Sequence, residues 1–186
     1  MKILAFGASN SSKSINKKFV TSVCKYYKEK EDIIEILDLN DYELPLYSID
    51  LEQKEGIPQK ALDFAAKIDW ADLIIISHAE NNGSYSAAYK NIYDWVSRIK
   101  GRKVFNGKPL FALATSPGPR GGQSVLEAAL DRAPRDGAEI LESFSLPEFN
   151  KNFEDGKGVT LPLLRSQLES KVRKTKRLMK EKLSSQ

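Results

Sequence analysis

What is scarce in this chain narrows its possibilities first. Of 186 residues, one is cysteine and one is histidine. Cys24 alone excludes an internal disulfide and any cysteine-cluster metal site; set in a helical pattern, it reads as a small buried apolar residue rather than a nucleophile. His78 alone excludes a His-rich metal centre and a two-histidine relay. No apolar run approaches the roughly 20 residues of a membrane span. Lys2 followed by a short β-type run is not the layout of a signal peptide, so the expectation is a cytoplasmic protein without a membrane partner. Internal repeats are absent, and the loosest stretch is a loop at 150–158.

Charge of one sign is also scarcer than the total suggests. The formal net charge is +4, but residues 165–186 carry eight Lys/Arg against Glu169 and Glu181. The remainder carries 21 basic and 23 acidic residues. The basicity belongs to one terminal helix, which reads as a solvated face and not as a nucleic-acid patch. At this length, with 41% hydrophobic and 29% charged residues, the expectation is a single domain over residues 1–186.

Five short apolar runs alternate with longer amphipathic segments: Lys2–Phe6, Ile33–Leu37, Asp72–Ser77, Pro109–Thr115 and Ala138–Leu146. The third is apolar almost throughout, as a strand covered on both faces requires; the second alternates less strictly and reads as peripheral. Between them, apolar residues at three- and four-residue spacing predict helices over Ser14–Glu29, Pro58–Asp69, Ala87–Ile99, Gln123–Asp136 and Leu163–Leu183. Pro134 falls in the last turn of the fourth, which should therefore end early. In the fifth, Leu164, Leu168, Val172, Thr175, Met179 and Leu183 share one face, with the lysines opposite. Five strand–helix units imply right-handed crossovers and an α/β, flavodoxin-like three-layer sandwich. Its parallel sheet has the order 2-1-3-4-5, with helices on both faces. Ligands in such sheets bind beyond the carboxyl ends of the strands, where the winding direction switches, here between strands 1 and 3 with strand 4 adjacent.

Three polar loops follow those strands. The first, Gly7–Asn16, holds Ser9, Ser11, Ser12 and Ser14 with Asn10 and Asn16, and the next helix begins at about Ser14. It lacks G-x-G-x-x-G and G-x-x-x-x-G-K-[ST], so neither a Rossmann pyrophosphate site nor a P-loop fits, whereas a terminal monophosphate does. Ser14 alone reads as an N-cap, but one cap explains one serine and not the cluster. The second loop, His78–Ser86, sets short amides and Gly83 where backbone N–H and C=O groups can face a planar heterocycle. His78 reads as structural, with a general-acid role as the alternative; Tyr85 packs on a ligand, a partner subunit or the helix below it. In the third, Ser116–Gly122, paired glycines let backbone approach a ligand, although alone it is also an ordinary strand–helix connection.

In order and spacing, these segments resemble the NAD(P)H-dependent FMN reductases, the group that includes chromate, quinone and azo reductases. That family's first loop, G-S-x-R-x-x-S-x-N, corresponds to Ala8–Asn16 and keeps Ser9, Ser14 and Asn16. Its P-E-Y-N-x-S corresponds to Ala79–Ser84, followed by Lys90-Asn91-Ile92-Tyr93-Asp94-Trp95. Its serine-proline-glycine turn corresponds to Ser116-Pro117-Gly118 with Gly121-Gly122. The resemblance implies that Ser9, Ser11, Ser14 and Asn16, with the N–H of Ile15, hold the FMN phosphate. It also implies that Glu80, Asn81 and Asn82 line the isoalloxazine, mostly through backbone, and that Ser116, Gly118, Gly121 and Gly122 meet the pyrimidine edge or the ribityl chain. No side chain is assigned a catalytic role and no metal is expected. NADPH or NADH would be the co-substrate, a quinone, azo compound, metal ion or flavin the acceptor, and the assembly a homodimer or homotetramer. This chain has Ser11 where the family has a phosphate-bridging arginine, and Ala79 and Asn81 where it has proline and tyrosine. The alternatives are a flavodoxin-type electron carrier and a flavin-binding regulatory protein without activity.

Overall fold

The computed structural model describes residues 1–184. Strand β1 (Lys2–Ala8) leads into helix α1 (Ile15–Cys24), and β2 (Ile33–Leu37) is followed by a 3-10 turn at Leu39–Tyr42. Helices α2 (Ile49–Glu55) and α3 (Gln59–Trp70) precede β3 (Leu73–His78). A small hairpin, β4 (Glu80–Asn81) and β5 (Ser84–Tyr85), precedes α4 (Ala87–Ser97). Then come β6 (Pro109–Thr115), α5 (Gln123–Arg132), β7 (Glu139–Leu146) and the single-turn α6 (Phe149–Asn152). A second hairpin, β8 (Phe153–Glu154) and β9 (Gly158–Val159), leads to α7 (Pro162–Ser184). The five long strands form one sheet in the order β2-β1-β3-β6-β7, parallel throughout. This is the expected flavodoxin-like arrangement, with β2 at an edge.

Alternation along each strand sorts the side chains into two cores. Ile3, Ala5, Leu73, Ile75, Phe111 and Leu113 face Phe19, Val20 and Val23 of α1 and Leu168, Val172 and Met179 of α7. Leu4, Phe6, Ile74, Ile76, Leu110 and Ala112 face Phe64 and Ile68 of α3, Tyr89 and Ile92 of α4, and Val125 of α5. Every residue of β3 is buried, as its unbroken apolar run requires of a strand covered on both sides.

The structure departs from the sequence expectations at several boundaries. Helix α1 ends at Cys24 rather than Glu29; the chain tightens into i to i+3 turns at Lys25, Tyr26 and Tyr27, and the Tyr27 ring is buried. Helix α5 stops at Arg132, because Pro134 has no N–H to continue the ladder. The segment 150–158 is not loose: it holds the end of α6 and the β8–β9 hairpin. Leu183 is 42% exposed, unlike Leu168, Val172, Thr175 and Met179 on the same helix. A helix of 23 residues is about 35 Å long, whereas an eight-residue strand spans about 26 Å. The last turn lies at the edge of the sheet beside Asp72 and Pro109, where Leu183 lines an open hollow.

Candidate functional site

Every helix that follows a sheet strand directly must point its N-terminus toward the carboxyl end of that strand. Thus α1, α4 and α5 present their first turns at the ends of β1, β3 and β6. At β1 the approach is very close. A Cβ added at Gly7 would lie within 2.8 Å of the Asn16 carbonyl carbon and the Lys17 Cα, so only glycine lets the first turn of α1 settle on the strand end.

Asn16 locks that turn in place. Its side-chain Oδ1 accepts from Ser77 Oγ at 2.7 Å and from the Thr115 N–H at 3.2 Å, while Nδ2 donates to the Thr115 carbonyl at 3.2 Å. One buried amide therefore joins α1 to the ends of β3 and β6. Ser86 makes the corresponding tie for α4: its Oγ accepts from the Tyr89 N–H at 3.3 Å and donates to the Ala8 carbonyl at 2.8 Å.

The loop between Gly7 and α1 is organised by serine hydroxyls acting as acceptors. Ser9 Oγ takes the Ser11 N–H at 3.2 Å, Ser11 Oγ takes the Lys13 N–H at 3.3 Å, and Ser14 Oγ caps the helix through the Lys17 N–H at 3.1 Å. Among the described residues none of these three hydroxyls donates to a protein acceptor, nor do the N–H groups of Ile15 and Asn16 at the start of α1. Five donors thus surround one hollow, with the partial positive charge of a helix end behind them.

That hollow is a cleft of about 230 Å³. Ser9, Ser11, Ser14, Ile15 and Asn16 form one wall, Glu80 and Asn81 a second, and Ser116 a third. The structure therefore brings together eight of the twelve residues singled out from the sequence, and adds Lys13, Ala79, Thr115 and Pro117. The other four lie outside the lining. Asn82 (φ 51°) and Gly83 (φ 75°) form the two-residue turn of the β4–β5 hairpin, with Asn82 at its exposed tip. An Asn-Gly pair is the strongest short-range hairpin signal and marks this turn. Gly118 accepts from the N–H groups of Gly121 and Glu148. Gly121 and Gly122 are buried, and a Cβ at Gly121 would lie 2.8 Å from the Pro147 nitrogen.

The acid of the cleft wall is engaged by a helix end. Helix α5 begins at Gly122, which has no side chain to cap with, and Glu80 Oε2 accepts the Val125 N–H at 3.0 Å. The second loop thus caps the helix of the third, with Glu80 and Asn81 both in the cleft lining. His78 lies behind this wall, buried against Tyr85 and Tyr89 with ring centroids at 5.7 and 5.4 Å. Among the described residues neither ring nitrogen has a hydrogen-bond partner, and burial pushes its pKa down to about 3. It is neutral at physiological pH and is part of the aromatic packing. Burial likewise pushes the Cys24 thiol up to about 12, leaving it unreactive.

The Lys90–Trp95 segment serves the scaffold. Trp95 is fully buried and its Nε1 donates to the Pro45 carbonyl at 2.8 Å. Asn91 donates to the carbonyls of Leu44 and Pro45 and accepts from the Tyr47 N–H. Together they fasten the segment between the 3-10 turn and α2.

A donor-lined cleft at the winding switch of a parallel 2-1-3-4-5 sheet places the molecule among the flavodoxin-like proteins. Within that class the chain belongs to the NADPH-dependent FMN reductase family, whose model matches residues 1–151. Quinone reductase from Escherichia coli (strain K12) is 36% identical over 80 residues, covering 43% of this chain and 42% of that protein. NADPH:quinone oxidoreductase from Arabidopsis thaliana is 38% identical over 91 residues, covering 49% of this chain and 44% of that protein. The chain thus spans less than half the length of these relatives. In fold it is similar to FerB, a flavoenzyme NAD(P)H:(acceptor) oxidoreductase from Paracoccus denitrificans, with a TM-score of 0.73 at 23% identity over 95% of this chain and 97% of that one.

Proposed function

We propose that the chain is an FMN-dependent NAD(P)H oxidoreductase acting on a quinone, azo compound, metal ion or flavin, with residues 1–186 forming one FMN-binding domain. The observation that carries this reading is the donor set of the cleft. Three hydroxyls and two backbone N–H groups share one hollow without acceptors among the described residues, which suits the terminal phosphate of FMN. The family and the names of the two reductase relatives support the same reading.

Bound there, FMN would supply the redox chemistry between nicotinamide and acceptor. The chain's own contribution is position. Ser9, Ser11, Ser14 and the start of α1 hold the phosphate, while the Glu80–Asn81 and Ser116–Pro117 segments flank the ring. No catalytic role is assigned to a side chain: Glu80 Oε2 accepts the Val125 N–H, and His78 is buried outside the lining.

The proposal includes a cytoplasmic homodimer or homotetramer. Among the described residues no helix is long and apolar enough to cross a membrane. Leu46 and Ile49 are 82% and 55% exposed, an apolar pair suited to a subunit contact; sedimentation analysis would reveal a monomer if this part is wrong. For the activity itself, purified protein is expected to be yellow and to oxidise NADPH or NADH in the presence of a benzoquinone. Colourless protein that takes up no FMN on titration would overturn the reading.

A further inference from the structure

We propose that Lys13 supplies the positive charge that neutralises the phosphate in this cleft. The inference rests on the FMN reading above and adds the counter-charge that the serine cradle lacks. The five donors of the cradle are all neutral. A phosphate monoester carries close to two negative charges near neutral pH, and a helix end contributes only about half a charge. A cation at the rim would complete the site.

Three lysines stand near this end of α1, and their pairing separates them. Lys17 is hydrogen-bonded to Asp38, whose carboxyl is held below its usual range by that ammonium and by the Asn40 N–H. Lys18 pairs with Asp155 at 2.7 Å. Lys13 has no carboxylate partner among the described residues, and it lines the same cleft as Ser9, Ser11 and Ser14. Its backbone is fixed there as well, because its N–H is the group that Ser11 Oγ accepts. The loop therefore anchors the lysine's main chain and leaves its ammonium free to turn over the hollow. A Lys ammonium acts as a mobile point charge rather than a rigid fork, so the contact should be felt mainly through its charge.

The test is the affinity of apo-protein for FMN and for riboflavin, measured by flavin fluorescence in wild type, Lys13→Gln, Lys13→Arg and Lys18→Gln, each at low and high salt. Lys13→Gln is expected to weaken FMN about tenfold, the size of one partly exposed charge-assisted contact. It should leave riboflavin unchanged and reduce the salt dependence of FMN binding. Lys13→Arg should retain most of the affinity, and Lys18→Gln should match wild type. Lys13 is exposed, so these substitutions should not disturb folding. Equal FMN affinity in Lys13→Gln and wild type, or an equal loss for FMN and riboflavin, would overturn the role of Lys13. Wild type that binds neither flavin would instead overturn the FMN reading itself.

Discussion

Helices α1 and α7 cover the same face of the sheet and both bear lysines, yet their charges do different things. On α7 four of the lysines are paired within the chain. Lys171 and Lys174 share Glu142 at 2.8 and 2.5 Å, and Lys176 and Lys182 reach Glu29 and Glu139 at 2.6 Å. Burial would raise the Glu142 carboxyl, but Lys171 and Lys174 hold it below its usual range. At the leading end of α1 the local charge is smaller, but among the described residues Lys13 has no carboxylate partner, and it stands beside five idle donors. The contrast teaches that a formal charge excess does not mark an anion site. Unsatisfied donors and an unpaired cation in one hollow do.

The largest effect is expected at Gly7. Gly7→Ala should push α1 off the end of β1, because the added methyl meets helix backbone and not a movable side chain. A stability loss of about 3 kcal/mol is expected in urea denaturation, with loss of FMN binding. Unchanged stability would show that the close approach is not needed.

Next in size is Asn16→Ala, which removes three hydrogen bonds joining α1, β3 and β6. Leaving the buried Ser77 hydroxyl and Thr115 backbone groups unpartnered should cost about 2 kcal/mol. FMN affinity should fall as well, because the turn that carries the free N–H groups loosens. A drop in affinity with no change in denaturation midpoint would mean that the amide contacts the ligand instead.

Ser14→Ala sharpens the contrast further. Loss of the cap should cost about 1 kcal/mol of stability, and loss of a phosphate donor should weaken FMN severalfold while sparing riboflavin. If FMN affinity is unchanged, Ser14 is a cap and nothing more.

The smallest effect is expected on α7. Glu142→Gln should change stability by less than about 1 kcal/mol and leave FMN affinity untouched. Since the Glu142 carboxyl is held low in the folded state, its contribution is present above the ordinary carboxylate range and is lost as pH falls through the folded value. Wild type and Glu142→Gln should therefore converge in stability toward acid pH. A gap that widens on acidification would contradict the pairing.

Much of the fold was legible because its strands are short apolar runs and its helices carry regular stripes. The exceptions have physical reasons. Helix α2 buries none of its residues, so it leaves no stripe to read. The β8–β9 hairpin is two residues per strand, too short for alternation to register. The β4–β5 turn was readable in principle from Asn82-Gly83.

At the site, the serine cluster indicates a polar cradle, with Ser11 where the resembled family carries arginine. The rest depended on partners far away in sequence. Asn16 turns inward to residues 61 and 99 positions away, and Glu80 caps a helix 45 positions on. The unpaired state of Lys13 became visible only once Asp38 and Asp155 had claimed its neighbours. Residue types near a strand end indicate a site, but only the fold reveals which polar groups remain unspent.

The central claim is that the hollow before α1 reads a phosphate. Isothermal titration of apo-protein with FMN and with riboflavin, side by side, tests it most directly. One FMN per chain is expected, bound at least tenfold more tightly than riboflavin, by about 1.4 kcal/mol or more. Equal affinities for the two flavins, or no binding of FMN, would contradict it.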